Sequence, residues 1–473
     1  MSPPKPSAAC VQKRRLQLRA AAAAGHGLPA PRRYFAWATI IVGLSLAVLD
    51  GTIANVALPT IAAHFHAGAA ASIWIVNGYQ LAIVMTLLPL AALGEIFGYR
   101  VVYLTGIALF TVASVGCVLA ESLAQLTAAR IVQGLGAAGM MSVNIAVLRH
   151  TVAREKFGAA VGINALVVAV ASTVGPAFAG FALAVVDWRW LFAVNIPLGI
   201  ITVGLGIPSL PDSQRATHRF DWPSAVLSAA AIGLIVTSID SFGHNLPWYA
   251  TAAQILACVP CFVFLVRRAR SSARPMLPLD LLRIPAFTLA VCTSIASFAT
   301  QLLAFVALPF LFQLVLHYPP EQVGLMMMPW PLAVAVVAPL AGRMSDAYPP
   351  AILGGVGLAL LALGMAALGF IGPGASLPDI CWRMALCGLG FGLFQAPNNR
   401  AMFDAAPMDR SGAASGMLGT ARLTGQSIGA ALVALMLGQA GLAGANGALF
   451  LGTGFATLAA ITSLSRLPFG KPR

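Results

Sequence analysis

Apolar runs of about twenty residues recur along the whole chain, separated by short polar breaks, and that alternation leaves few folds open. A run of this length makes a helix able to cross ~30 Å of hydrocarbon, where backbone polar groups must be satisfied within the segment itself. Fourteen such segments are read, at 37–61, 72–93, 101–120, 124–148, 158–186, 190–210, 222–242, 248–266, 286–316, 323–344, 351–371, 377–396, 412–437 and 443–464. Composition points the same way: 59% of residues are hydrophobic and 9% charged, whereas soluble chains carry charge on about a quarter of their residues. The expected fold class is therefore an all-α polytopic membrane protein.

The net charge of +14 does not mark a nucleic-acid binder, because the basic residues are dispersed in the breaks instead of clustering on one face. When alternate breaks are assigned to one side, all of the 28 Lys and Arg except Arg130, Arg189, Arg383 and Arg422 fall on the side of the N-terminal tail. Such an asymmetry places both termini in the cytoplasm and requires an even number of spans. Cys258 and Cys261 have redox spacing without the βαβ context that gives it meaning, and His64 and His66 lack a third ligand, so neither a metal nor a cofactor is expected. Residues 1–33 read as a disordered cytoplasmic tail; they are not a cleaved signal, since the apolar run that follows is of spanning length.

The chain repeats itself. Val56-Ala57-Leu58-Pro59 recurs as Val306-Ala307-Leu308-Pro309, Leu93-Gly94-Glu95 matches Met344-Ser345-Asp346, and Gly158-Ala159-Ala160-x-Gly162 recurs as Gly412-Ala413-Ala414-x-Gly416. The nearly constant offset implies two six-helix halves in the same orientation, at 34–211 and 276–466, with an inserted helix pair at 212–275 and a C-terminal tail at 467–473. Parallel six-helix repeats around a midplane cavity are a transporter plan.

Within the first apolar run stands Asp50, roughly two thirds of the way across from Arg32 and Arg33. A carboxylate at that depth costs about 2.5–3.5 kcal/mol even on lenient insertion scales, so it is read as functional, against the plainer role of tying helices together by pairing with an Arg. Arg130, counted from the far end of its own helix, reaches a similar depth.

Several of these stretches resemble one family. Leu49-Asp50-x-Thr52-x-x-Asn55-x-Ala57-Leu58-Pro59, Leu93-Gly94-Glu95-Ile96-Phe97-Gly98-Tyr99-Arg100, Arg130-Ile-Val-Gln133-Gly134-x-Gly136, Gly175-Pro176-x-x-x-Gly180 and Trp188-Arg189-Trp190-x-Phe192-x-x-Asn195-x-Pro197-x-Gly199 are similar to motifs of the major facilitator superfamily. They most resemble its fourteen-helix drug:proton antiporter branch, in particular bacterial pumps for methyl viologen and quaternary ammonium compounds. Ala91, Ile96 and Tyr99 depart from the loop motif between helices two and three, where a glycine and two basic residues are usual. The resemblance implies a major facilitator fold and a multi-pass protein of the bacterial inner membrane. It further implies proton-coupled efflux of lipophilic cations by alternating access, with the proton, a cationic amphiphile and the lipid bilayer as partners and a monomer as the working unit.

On that reading Asp50 exchanges a proton for substrate and Arg130 tunes it. Asn55, Gln301, Phe305, Trp330, Phe391 and Gln395 are candidate cavity residues, since aromatic faces attract quaternary ammonium groups. Glu95, Arg100 and Asp346 sit at helix ends where charge pairs can latch one state, and Gly175-Pro176 loosens a helix. Thr300 aligns with Asp50 in the second half, which offers no matching acid. Asp240 falls near the outer end of its helix, and Arg383 and Arg422 lie within spans. Were both arginines to line the cavity, an anionic substrate would fit better; structural pairing or a gate role is the favoured reading. Export of an anionic or neutral metabolite, and a membrane receptor or scaffold that does not transport, are the alternatives. No Ser/His/Asp, HExxH or paired-carboxylate arrangement occurs in the spans to suggest an enzyme.

Overall fold

A computed structural model describes residues 28–153, 156–213, 215–216, 220–243, 248–271, 280–372, 374–407 and 410–469, so most of the expected N-terminal tail and the last residues of the C-terminal one lie outside it. The helices, in order, are α1 Arg32–His64, α2 Ala69–Phe97, α3 Tyr99–Val118, α4 Leu123–Thr151, α5 Phe157–Val185, α6 Trp190–Ser209 and α7 Trp222–Gly243. There follow α8 Trp248–Ser271, α9 Pro285–Val315, α10 Pro320–Met344, α11 Pro350–Gly369, α12 Leu377–Ala405, α13 Ser411–Ala440 and α14 Gly444–Leu464.

Among the described residues twelve helical stretches are long and apolar enough to cross a membrane. The last of the twelve, Ala413–Leu464, spans two helices, α13 and α14, joined by a single 3-10 turn, and α8 is not among the twelve. Ends follow local chemistry. Ser122 caps α4 by accepting from the Gln125 amide at 3.2 Å, and Ser376 does the same for Asp379 in α12. α9, α10 and α11 each open on a proline, whose missing N–H is no loss in a first turn. α10 is interrupted at Met328, because Pro329 has no N–H to continue the ladder.

The repeat expected from sequence is visible as packing. In the first half α1 packs on α5 and α6, α4 on α2 and α3, and α3 on α6; in the second, α9 packs on α13 and α14, α12 on α10 and α11, and α11 on α14. These are the same five pairings with every helix moved on by eight in the order given. The crossings match in detail. A Cβ at Gly136 would lie 2.7 Å from the Gly106 carbonyl, and one at Gly357 would lie 2.6 Å from that of Gly390. Gly134 likewise abuts the Tyr79 carbonyl where Gly388 abuts that of Trp330. Only glycine lets helix backbones approach this closely.

The halves meet at the ends of their helices distal to the N-terminus. A Cβ at Gly180 of α5 would lie 2.5 Å from the Pro320 carbonyl, and one at Gly324 of α10 would lie 2.5 Å from that of Pro176. Gln313 donates to the Val56 carbonyl at 2.9 Å and accepts from Thr60 at 3.4 Å, joining α9 to α1. Nearer the proximal face, a Cβ at Gly162 of α5 would meet nothing within 4 Å. On another side of the molecule α2 and α13 pack together, with Leu87 and Leu88 against Gly419 and Gly416, and α7 lies over that seam in contact with both. α8 packs on α7, and Asp221 and Arg268 join their proximal ends at 2.9 Å.

Candidate functional site: a buried acid-base network in the first half

Five helices converge on Asp50. Its Oδ2 is ion-paired with Arg130 Nη1, while its Oδ1 accepts from Asn195 Nδ2 at 2.8 Å and from Gln133 Nε2 at 3.1 Å. Arg130 also donates Nε to the Ile75 carbonyl at 3.1 Å and Nη1 to Gln133 Oε1. Its guanidinium carbon stands 4.2 Å from the centre of the Tyr79 ring and 5.4 Å from that of Phe192. Gln133 completes its own bonding by donating to Ser114 at 2.9 Å, and Tyr79 donates to the Ala47 carbonyl at 3.1 Å. Thus α1 supplies the acid, α4 the base and a glutamine, and α2, α3 and α6 the tyrosine, serine and asparagine.

The network is sealed: Asp50 is 2% exposed and Arg130 0%. Removing either member would strand the other in low dielectric, whereas the pair as a whole is neutral. Sequence placed the two at similar depth, and the structure brings them into contact inside the first half, on the side of α1 that faces α4 and α6. It does not place Asp50 at the junction of the halves in this conformation. Arg130 Nη2 and Asn55 Oδ1 are among the buried atoms without a hydrogen-bond partner among the described residues.

At the corresponding place in the second half the chemistry is gone. The glycine crossings set Met384 opposite Arg130 and Cys387 opposite Gln133, and Thr300 aligns with Asp50. All three are fully buried, and the Thr300 hydroxyl is spent on the Ala296 and Gly452 carbonyls. The aromatic candidates pack there as a cluster: Phe305 on Trp330 at 5.2 Å between ring centres, Phe298 on Phe391 at 5.2 Å, and Phe391 on Phe394 at 5.7 Å. Trp330 at 0% and Phe391 at 1% exposure are core residues in this conformation, so their expected place on a cavity wall is corrected. Gln301, Phe305 and Gln395 remain half-buried.

The sequence profile of the Major Facilitator Superfamily matches residues 40–430. The chain belongs to that superfamily. Among its relatives, the "Uncharacterized transporter YebQ" of Escherichia coli (strain K12) is 48% identical, the match covering 93% of this chain and 97% of that one. "Multidrug resistance protein Stp" of Mycobacterium tuberculosis is 33% identical over 84% of this chain and 74% of its own. "Riboflavin transporter RibZ" of Clostridioides difficile is 28% identical over 85% and 87%. A crystal structure of the peptide transporter POT in complex with sulfate superposes with a TM-score of 0.71 at 13% identity, over 96% of this chain and 98% of that one, a likeness of fold alone. As a member of the superfamily the protein is a membrane transporter and not an enzyme.

Of the expected latch residues in this superfamily member, Arg100 and Asp346 are ion-paired. Arg100 pairs with Asp212 at 2.9 Å, beyond the end of α6, and Asp346 pairs with Arg400 of α12. Glu95 accepts the Ala216 amide on its carbonyl at 2.8 Å. Neither ion pair joins the first half to the second. Gly175 lies against Thr52, whose hydroxyl occupies the space a side chain would need, so the first-helix and fifth-helix motifs touch. Arg383 is paired with Asp379 one turn earlier at 2.8 Å, as structural pairing requires. Arg422 has no acid within ion-pair distance among the described residues; its guanidinium carbon stands 5.7 Å from the centre of the Phe298 ring. The side chain of Asp240 lies outside the described set.

Gln133 and Asn195 appear in the quoted motifs without a role, and Tyr79 and Ser114 were not singled out. Gln133 was within reach of a sequence argument, since it stands three residues after Arg130 and so shares its helix face. Asn195 and Ser114 come from distant segments and are joined to Asp50 only by packing.

Proposed function

We propose that the protein is a proton-coupled exporter of amphiphilic organic compounds that works by alternating access, with Asp50 as the group that binds and releases the proton. One observation carries this reading: a carboxylate deep in the bilayer whose charge is balanced by a single arginine and directed by two amides. Protonation of Asp50 cancels its half of the pair and frees Arg130, so the change of charge alters contacts among α1, α4 and α6 together. Because α5 lies against α1 at Gly175 and against α10 at Gly180, a shift of α1 has a direct route to the distal seam. Each pH unit supplies ~1.4 kcal/mol per proton, about tenfold in gradient.

The name borne by the multidrug-resistance relative supports export, and the family fold supports rocking of two halves. For the topology we propose fourteen spans, formed by adding α8 to the twelve stretches and dividing the last between α13 and α14, with both termini cytoplasmic in a bacterial inner membrane and a monomer as the working unit. The distal seam is then periplasmic, and the conformation is closed on that side. A lipophilic cation, the class expected from sequence, would find its countercharge at Asp50 only after the Arg130 pair opens.

The test is efflux driven by an imposed pH gradient in everted membrane vesicles. Asp50→Asn should abolish it per molecule of protein present in the vesicles; normal efflux per molecule by that variant would reject the proposal.

A further inference from the structure

The second half holds a charge that the proton-coupling network does not use. Arg422 stands eleven residues into α13, and its Nε is buried without an acceptor among the described residues. The residue as a whole is half-buried, at a depth where an unpaired cation is expensive.

Its direction can be read from the glycines of the same helix. Gly425 and Gly429 abut the Ile295 and Ala299 carbonyls of α9, and Gly416 and Gly419 face Leu88 and Leu87 of α2. At ~100° per residue Arg422 projects between those two faces, toward the junction of the halves and not toward lipid. Gln426, one turn on, shares that direction, and Gln301 follows Phe298 by one turn on α9. Neither glutamine has a hydrogen-bond partner among the described residues, and Phe298 offers its ring beside the guanidinium.

We infer that Arg422, Gln426, Phe298 and Gln301 form a substrate subsite for the anionic group of a flat, largely apolar molecule, such as a carboxylate or sulfonate on an aromatic body. The guanidinium supplies the forked donors that a carboxylate or sulfonate matches, the ring takes the adjoining aromatic surface, and the two amides, one on each helix, take polar substituents along it. The proposal rests on the transporter reading above, and it gives that transporter an anionic substrate class in place of the cationic one expected from sequence. It also gives the halves distinct tasks: a sealed, neutral acid-base pair in the first, and a cation without an acid partner among the described residues in the second.

Binding to the purified full-length protein in detergent, followed by fluorescence polarisation, tests this with two dyes of the same ring system and opposite charge, fluorescein and rhodamine 6G. The wild type should prefer fluorescein. Arg422→Gln should weaken fluorescein about tenfold or more, the loss expected for a charge-assisted contact, and leave rhodamine 6G unchanged. Arg422→Lys should fall between, and Gln426→Ala should weaken fluorescein several-fold, which decides the matter if Arg422→Gln aggregates on gel filtration. Absence of a preference for fluorescein in the wild type, or unchanged fluorescein affinity in the folded variants, overturns the subsite. Intact anion binding with no proton-driven flux would instead sink the transport mechanism and leave the subsite standing.

Discussion

At the scale of single residues, the Asp50–Arg130 pair is a case in which two charges are tolerable together and neither alone. Arg130→Ala should destabilise the protein by about 3–5 kcal/mol, because it leaves a carboxylate buried with only two amide donors. The double change Asp50→Asn with Arg130→Gln removes both charges and should recover most of that loss. Thermal unfolding in detergent checks the pair: a double variant no more stable than Arg130→Ala would show that charge balance is not what holds the site. Depth and charge made the pair visible in sequence. Asn195 was not, since a buried asparagine on a distant helix carries no mark of what it faces. The aromatic candidates failed for a related reason: Trp330 and Phe391 are as apolar as any core residue, and sequence does not say which side of a helix meets a cavity.

At the scale of helices, close approach is decided by where side chains are missing. Gly180 and Gly324 let α5 and α10 meet backbone to backbone, and Gly175 makes room for Thr52. Gly180→Val would place branched carbons where the Pro320 carbonyl stands, so the distal seam should open. Thr60→Cys with Gln313→Cys provides the readout, as their native side chains are within 3.4 Å. Oxidative cross-linking of that cysteine pair should fall several-fold when Gly180→Val is added, and unchanged cross-linking would show that the seam closes without this crossing. The GAAxG repeat and the Gly-Pro pair were legible as motifs. What they touch was not, because helix register against a neighbour is set by the shape of both surfaces.

At the scale of the whole molecule, two halves with the same five helix pairings enclose different chemistry, and α7 covers the seam between α2 and α13. The topology proposed for them predicts that a reporter inserted at 244–247, between α7 and α8, is exposed on the membrane face opposite both termini. Periplasm-dependent and cytoplasm-dependent reporters at that site check it, and labelling on the same face as the termini would exclude α7 and α8 as a spanning pair. The sequence by itself determined that this chain is helical, that it repeats, and that Asp50 and Arg130 share a depth, because spanning length, a near-constant offset and the cost of charge in hydrocarbon are properties of the linear order. Only the tertiary structure decided that the acid is sealed within one half, that Arg100 pairs with Asp212 and Asp346 with Arg400, and that Arg422 has no acid partner among the described residues. Those outcomes depend on which helix faces meet, and partners separated by many tens of residues are chosen by packing, not by sequence spacing.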